Sequence, residues 1–179
     1  MQFSFSLDVE DWVEFQKHFL KSSSMFNRSR RLITWVLPIV IVLLIWRDID
    51  PENISLGSSV PYIIMAAVAV GWVIFFPNFY FNRVLRQART MAEKGDNQQL
   101  LAQRELIVDA NEGITQKYPG EVFEIGWADV VRIDATENYF YLFNTKMSAV
   151  IVPLQRLKGM DGYKELVQLL HEKAKATAG

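Results

Sequence analysis

The sequence predicts an α+β membrane protein, in which a two-helix transmembrane hairpin is joined to a cytoplasmic antiparallel β half-barrel capped by a C-terminal helix. Three observations lead to this prediction. Two long runs without a charged residue lie between residues 32 and 81, short alternating segments follow from residue 101, and the last helical segment has one apolar face. A chain of 179 residues is long enough for one such domain with an added membrane part.

Composition excludes several classes of protein. Half of the residues are hydrophobic, 22% are charged and the net charge is −1, which excludes a disordered chain and a generally basic nucleic-acid-binding protein. The absence of cysteine excludes a disulfide scaffold, a catalytic thiolate and a cysteine-ligated zinc site. The sequence therefore predicts no nucleic-acid partner and no cysteine chemistry.

The two uncharged runs are the predicted membrane spans. Residues 32–46 (LITWVLPIVIVLLIW) are shorter than the hydrocarbon core, but arginines flank them at both ends and can extend to the headgroups. Residues 60–81 are long enough to cross alone. Pro38 predicts a kink in the first span. The alternative is a soluble buried hairpin, for which a chain this short offers little covering structure.

Basic residues are distributed unequally on the two sides of these spans. The segment 47–59, which connects the spans, holds one basic and three acidic residues. Nine basic residues lie near the opposite ends of the two spans, before the first and after the second. By the positive-inside rule, this asymmetry predicts that both termini face the cytoplasm. Arg83, Arg86 and Arg89 recur along one helical ridge and are candidate contacts for the headgroups of the lipid bilayer. The alternative is that these arginines only set the topology.

The chain divides into four predicted parts. The first is cytoplasmic and has a strand followed by an amphipathic helix, with Asp8 as the N-cap of that helix. The third is a juxtamembrane helix that Gly95 and Asp96 end. The fourth has six strands and the C-terminal helix. The boundaries are 1–27 for the N-terminal strand and helix, 28–82 for the hairpin, 83–99 for the juxtamembrane helix and 100–179 for the β-domain.

The N-terminal strand is predicted to belong to the C-terminal sheet. Phe3, Phe5 and Leu7 alternate with polar residues and therefore share one strand face. A lone strand would leave its backbone groups unpaired. Because the predicted topology puts both ends of the chain on one side, we expect this strand to pair with an edge strand between residues 104 and 152.

Four sequence patterns in this order are shared with a known family. A strand and helix (FSLDVEDWVEFQKHFLKSS) precede the spans, and ELIVDANEGI, GWADVVRIDATENYFYLF and AVIVPLQRL follow them. In this order the chain resembles the bacterial YcxB-like membrane proteins. The resemblance implies a multi-pass protein of the bacterial cytoplasmic (inner) membrane whose C-terminal domain is pleckstrin-homology-like (PH-like). It transfers no catalytic residue.

No catalytic, cofactor or metal site is predicted. His18 and His171 are far apart, and neither has a second ligand one helical turn away. Asp129, Asp134 and Glu137 form an acidic cluster that could provide a divalent-ion site or a catalytic pair, but a polar strand face explains them better. An inositol-phosphate pocket is not expected, because the first β-turn of the domain is acidic.

These features predict a non-enzymatic integral membrane protein whose cytoplasmic domain is a protein-interaction module. Tyr139, Tyr141 and Phe143 share one strand face and are the candidate docking residues. The alternative for this strand is that helices cover both of its faces. The alternative function is an immunity or defence protein that recognises a membrane-active toxin through its spans. The sequence leaves open a homo-oligomer and the identity of the protein partner.

Overall fold

The computed structural model of the protein describes residues 1–48, 56–94 and 101–177. Two compact units are present: a β-unit, made of Met1–Gln16 and Ala88–Gly179, and a helical unit, Lys17–Gln87. The helices are α1 (Val9–Ser22), α2 (Ser24–Asp48), α3 (Leu56–Glu93), α4 (Leu154–Leu157) and α5 (Tyr163–Thr177). The strands are β1 (Gln2–Ser6), β2 (Gln103–Val108), β3 (Gly113–Tyr118), β4 (Glu121–Gly126), β5 (Arg132–Ala135), β6 (Tyr139–Phe143) and β7 (Ala149–Pro153).

The helical unit contains two long helices that include both predicted spans. A serine-rich break separates α1 from α2, and the N–H of Phe26 donates to Ser23 Oγ at 3.3 Å, so Ser23 caps α2. Both α2 and α3 are long and apolar enough to cross a membrane, and 11% and 0% of their most apolar windows are buried. Residues 83–93 of the predicted juxtamembrane helix are a continuous part of α3. The acidic segment 49–55 and the predicted stop at Gly95 and Asp96 lie outside the described residues.

The β-unit contains two antiparallel sheets followed by a C-terminal helix. The first sheet has the order β1-β2-β3-β4 and the second the order β5-β6-β7. The six strands predicted after residue 100 are all present. Trp127–Asp129 form one turn of 3₁₀-helix, and β5 begins after it, at Arg132. The structure therefore confirms the α+β class with two long apolar helices.

The N-terminal strand pairs with the C-terminal sheet, as predicted. β1 runs antiparallel to β2, with Phe3 opposite Leu106 and Phe5 opposite Arg104. The side chains of Phe3, Phe5 and Leu7 are all buried. The β-unit is thus assembled from both ends of the chain, since β1 and β2 are separated in sequence by the whole helical unit.

The turn between β2 and β3 depends on one glycine. Gly113 has a φ of +149°, and a Cβ at this position would lie 2.1 Å from the carbonyl oxygen of Ile125. Asp109 Oδ1 accepts hydrogen bonds from the N–H groups of Glu112 and Asn111, and these bonds lower the pKa of Asp109. The local sequence therefore fixes the turn before the sheet packs.

Candidate binding cleft

A cleft of about 390 Å³ lies in the β-unit between the first sheet, α1 and the hairpin of β6 and β7. It combines apolar walls with a small group of polar side chains, which is the usual composition of a binding site. The apolar walls include Trp12, Phe15, Phe123, Met147 and Ile151. The polar residues include Arg104, Gln116, Tyr118 and Glu121.

Strand alternation places the polar residues in the cleft. Arg104 lies two residues before buried Leu106, and Gln116 lies two residues after buried Ile114. Residues two apart point to the same face of a strand. Arg104 and Gln116 therefore lie on the core faces of β2 and β3 at positions that an ordinary sheet fills with apolar side chains.

Gln116 is the polar side chain most enclosed by this cleft. Its side chain is 5% exposed, and its Nε2 atom is buried without a hydrogen-bond partner among the described residues. A buried amide donor without a partner destabilises the folded protein, because it loses the hydrogen bonds that water provides. A bound acceptor oxygen would remove this cost.

Arg104 adds a positive charge to the same cleft. Burial lowers the pKa of its guanidinium, and the nearby Tyr118 opposes that change. The guanidinium carbon lies 5.9 Å from the centre of the Tyr118 ring. The Tyr118 hydroxyl donates to Glu121 Oε2 at 2.9 Å, and this hydrogen bond raises the pKa of Tyr118. The cleft thus offers hydrogen-bond donors from Gln116 and Arg104 beside an apolar wall.

Helix α1 is attached to the second sheet by a cluster of charged and polar groups. Asp11 is buried, and it accepts hydrogen bonds from the Tyr139 hydroxyl and from Arg156 Nε, each at 2.9 Å. Arg156 also forms an ion pair with Asp8. Burial alone would raise the pKa of Asp8, but the Asp11 N–H and Arg156 together lower it. This cluster holds the α1 wall of the cleft in place.

The candidate docking face of β6 is not exposed, which corrects the prediction made for Tyr139, Tyr141 and Phe143. Tyr141 and Phe143 are buried, and their rings lie 5.5 Å and 6.2 Å from the ring of Phe15 on α1. Tyr139 is half-buried and is held by its hydrogen bond to Asp11. These aromatic side chains form the packing surface for α1, and the alternative of a covered face is the correct one.

The opposite face of β6 is covered as well. Phe140 and Leu142 are fully buried, and the Phe140 ring meets His171 of α5 edge-on at 4.9 Å. His171 is exposed, as predicted, but it also contributes to this packing. Both faces of the strand therefore serve the core.

The other candidate residues do not line the cleft. Arg83, Arg86 and Arg89 are exposed on α3, and Arg89 forms a 2.6 Å ion pair with Glu10. Arg89 is therefore engaged within the β-unit, while headgroup contact by the three arginines stays a prediction.

The acidic residues near β5 belong to no group of three or more described side chains that could hold a metal ion. Asp134 forms a 3.0 Å ion pair with Arg132 on the same strand. Across residues 1–48, 56–94 and 101–177, no group of three or more histidine, aspartate or glutamate side chains could hold a metal ion.

The fold and cleft define a two-unit α+β protein with a long apolar helical pair and a compact β-unit. Residues 110–170 match the sequence model of a family described as YcxB-like protein. This match confirms the predicted YcxB-like family over the segment from the β2–β3 turn into α5. No curated protein and no solved structure matches the chain.

Sequence reasoning did not identify the residues of the cleft. The signal was present, because Arg104 and Gln116 occupy the apolar positions of alternating strands. Asp11 and Phe15 carried a weaker signal. Both lie on the sheet-facing side of α1 beside Trp12, but the partners Arg156 and Tyr141 are more than 120 residues away in sequence.

Proposed function

We propose that this protein is a non-enzymatic, membrane-anchored binding protein whose β-unit holds a segment of a partner protein in the cleft. The observation that supports the proposal is the buried Gln116 Nε2, which has no hydrogen-bond partner in the described part of the chain and lies at the wall of a largely apolar cleft. A binding site for a peptide gives this group an acceptor oxygen and gives the apolar walls a side chain to contact.

The residues that line the cleft indicate which chemical groups the bound segment presents. Gln116 and Arg104 both donate hydrogen bonds, so the segment presents a backbone carbonyl or a carboxylate oxygen to them. Phe123 and Met147 contact an apolar side chain of the same segment. A volume of about 390 Å³ holds a few side chains, which fits an anchoring segment of a larger partner.

The proposed architecture is that of a PH-like domain on a membrane hairpin. A four-stranded sheet, a three-stranded sheet and a C-terminal helix support the PH-like assignment. Two long helices with exposed apolar side chains and the asymmetry of nine basic residues against one support two spans with cytoplasmic termini. The proposed location, a bacterial inner membrane, follows from the resemblance of the sequence to the YcxB-like membrane proteins.

The membrane part of this proposal is tested by extraction and by reporters. The protein should stay with membranes in alkaline carbonate. A reporter after Gly179 should behave as cytoplasmic and one near Gly57 as external. Release of the protein by carbonate would contradict the prediction of two membrane spans. The reversed reporter pattern would contradict the prediction that both termini are cytoplasmic.

The binding part is tested by site-specific photo-crosslinking in cells of the source bacterium. A crosslinker at Met147, which is 71% exposed and lines the cleft, should capture one partner, whereas a crosslinker at Val131, 64% exposed and outside the cleft, should not. Gln116→Leu should abolish the Met147 adduct without lowering stability, because leucine removes a buried donor that has no partner. Equal capture at both positions, or capture that survives Gln116→Leu, contradicts the proposed site.

A span exchange separates this proposal from the immunity alternative. If the two spans are replaced by an unrelated pair, the Met147 adduct should persist, because the cleft lies within the β-unit. Loss of function with an intact adduct would favour recognition of a toxin by the spans.

A further inference from the structure

The helical unit contains a second cavity, of about 540 Å³, between α2 and α3. On α2, residues spaced three or four apart line it, among them Arg31 and Trp35. On α3, Val73, Pro77 and Phe81 line it at intervals of four residues. One face of each helix therefore contributes to a single cavity.

Three positively charged side chains lie at this cavity. Lys21 comes from the end of α1, and Arg30 and Arg31 come from the first half of α2. None of the three forms an ion pair with an acidic side chain in the described part of the helical unit. Thr34, which also lines the cavity, is buried, and its hydroxyl donates a 2.7 Å hydrogen bond to the backbone carbonyl oxygen of Arg30. The cavity has a net positive charge.

The apolar side of the cavity is formed by residues of the predicted spans. Trp35 follows the arginines by one helical turn, and Phe81 is the last residue of the second uncharged run. In a membrane, the charged side would lie at the headgroup level and the apolar side at the upper acyl chains. This change from charged to apolar lining matches the change along a phospholipid.

We propose that this cavity is a binding site for one anionic phospholipid, and the proposal rests on the membrane crossing put forward above. Lys21, Arg30 and Arg31 bind the phosphate, and Trp35 and Phe81 contact the glycerol and the first acyl carbons. Arginine pairs well with phosphate because its planar donors match two oxygens at once. A free phosphate ion would leave the apolar side in water, which favours the lipid as the ligand.

The site is distinct from the arginine ridge of α3. Arg83, Arg86 and Arg89 do not line the cavity. The ridge predicts a diffuse attraction to any anionic surface, whereas the cavity predicts a lipid that stays bound after the bilayer is removed. Purification in detergent separates the two.

The test is native mass spectrometry of the purified full-length protein in a mild detergent. Phosphatidylglycerol and phosphatidylcholine with identical acyl chains are added as probes. We expect one tightly bound phosphatidylglycerol. Arg30→Gln combined with Arg31→Gln should weaken that binding about thirtyfold, as expected for the loss of two interfacial cationic side chains.

The matched control removes the same charge outside the cavity. Arg28→Gln combined with Lys94→Gln takes two exposed cationic side chains from the same predicted side of the membrane, and binding should change less than about threefold. Equal affinity for phosphatidylcholine, or equal losses in both double variants, overturns the proposal. If inorganic phosphate displaces phosphatidylglycerol at the concentration at which phosphate itself binds, the cavity is a site for a free anion. That result would also overturn the proposal of a lipid site.

Failure of this inference can be told apart from failure of the proposed function. If the protein resists carbonate extraction but shows no preference between the two lipids, only the proposal of a lipid site is overturned. If carbonate releases the protein, the proposal that it crosses the membrane is overturned as well.

Discussion

The two units place similar apolar residues in opposite environments. Phe5 in the β-unit is 6% exposed, whereas Phe75 in the helical unit is 73% exposed. In β1 the apolar residues alternate with polar ones, so only one face is apolar and that face is buried. In α3 they continue around the helix over more than five turns. The spacing of apolar residues, and not their number, distinguishes a side chain of a protein core from one suited to lipid.

The largest expected effect comes from removing equivalent rings in the two units. Phe5→Ala should lower the free energy of unfolding of the β-unit by about 3–5 kcal/mol, because it leaves a cavity beside β2. Phe75→Ala should change it by less than about 0.5 kcal/mol, since its ring is exposed. Protease resistance of the β-unit in detergent, measured against urea concentration, compares the two. Equal losses would show that the exposed helix surface also stabilises the β-unit.

A smaller effect is expected at the turn between β2 and β3. Gly113→Ala should destabilise the β-unit by about 2–3 kcal/mol, because the positive φ and the Ile125 carbonyl both oppose a Cβ. Gly120→Ala is the matched control, with a φ of +88° but open space around the Cβ position. It should cost about 1 kcal/mol. The same urea titration measures both variants, and equal values would show that the close contact relaxes.

Sequence periodicity was sufficient to predict most of the fold. The alternation of Phe3, Phe5 and Leu7 predicted not only a strand but also its membership of a sheet about 100 residues away, because an unpaired apolar strand is unstable in water. The same reasoning failed at β6. Tyr141 and Phe143 look like a docking face until Phe15 of α1 is placed against them, and the packing of α1 depends on long-range contacts.

The candidate site was less predictable than the fold. Gln116 and Arg104 are polar residues at apolar strand positions, which sequence alone can detect. That both line one cleft depends on the packing of β2, β3 and the β6–β7 hairpin, which are separated in sequence. Alternation indicates that a strand belongs to a sheet, but it does not indicate which other elements pack against that sheet.

The cluster at Asp11 should contribute less than the core rings. Asp11→Asn removes the charge that faces Arg156 and leaves one oxygen where two now accept hydrogen bonds from Tyr139 and Arg156, and we expect a loss of about 1–2 kcal/mol. Glu10→Gln is the control on the same helix, because its ion pair with Arg89 is half-exposed. It should cost less than about 0.5 kcal/mol. A loss at Glu10 as large as that at Asp11 would show that burial does not distinguish the two pairs.

The smallest expected effect is the change in the free energy of unfolding with pH that the titration of Asp8 causes. The folded state lowers the pKa of Asp8 below its ordinary value of 3.8, so the carboxylate stabilises the fold above that pH. This contribution should disappear as the pH falls below 3.8 through the lowered pKa. Asp8→Asn keeps a good helix N-cap and replaces the charged oxygen that faces Arg156 with an uncharged amide group.

The Asp8 comparison therefore has a defined pH signature. At pH 7 the wild type should be more stable than Asp8→Asn by less than about 1 kcal/mol, since Asp8 is half-exposed. The difference should shrink as the pH falls below 3.8 toward the lowered pKa of Asp8. Asp109, whose pKa is also lowered, is present in both proteins and cancels from the difference. Urea unfolding of both proteins at about pH 7, 4 and 2.5 measures this difference in the free energy of unfolding. A difference that is unchanged at the lowest pH would show that Asp8 acts through its cap alone and that its charge does not stabilise the contact with Arg156.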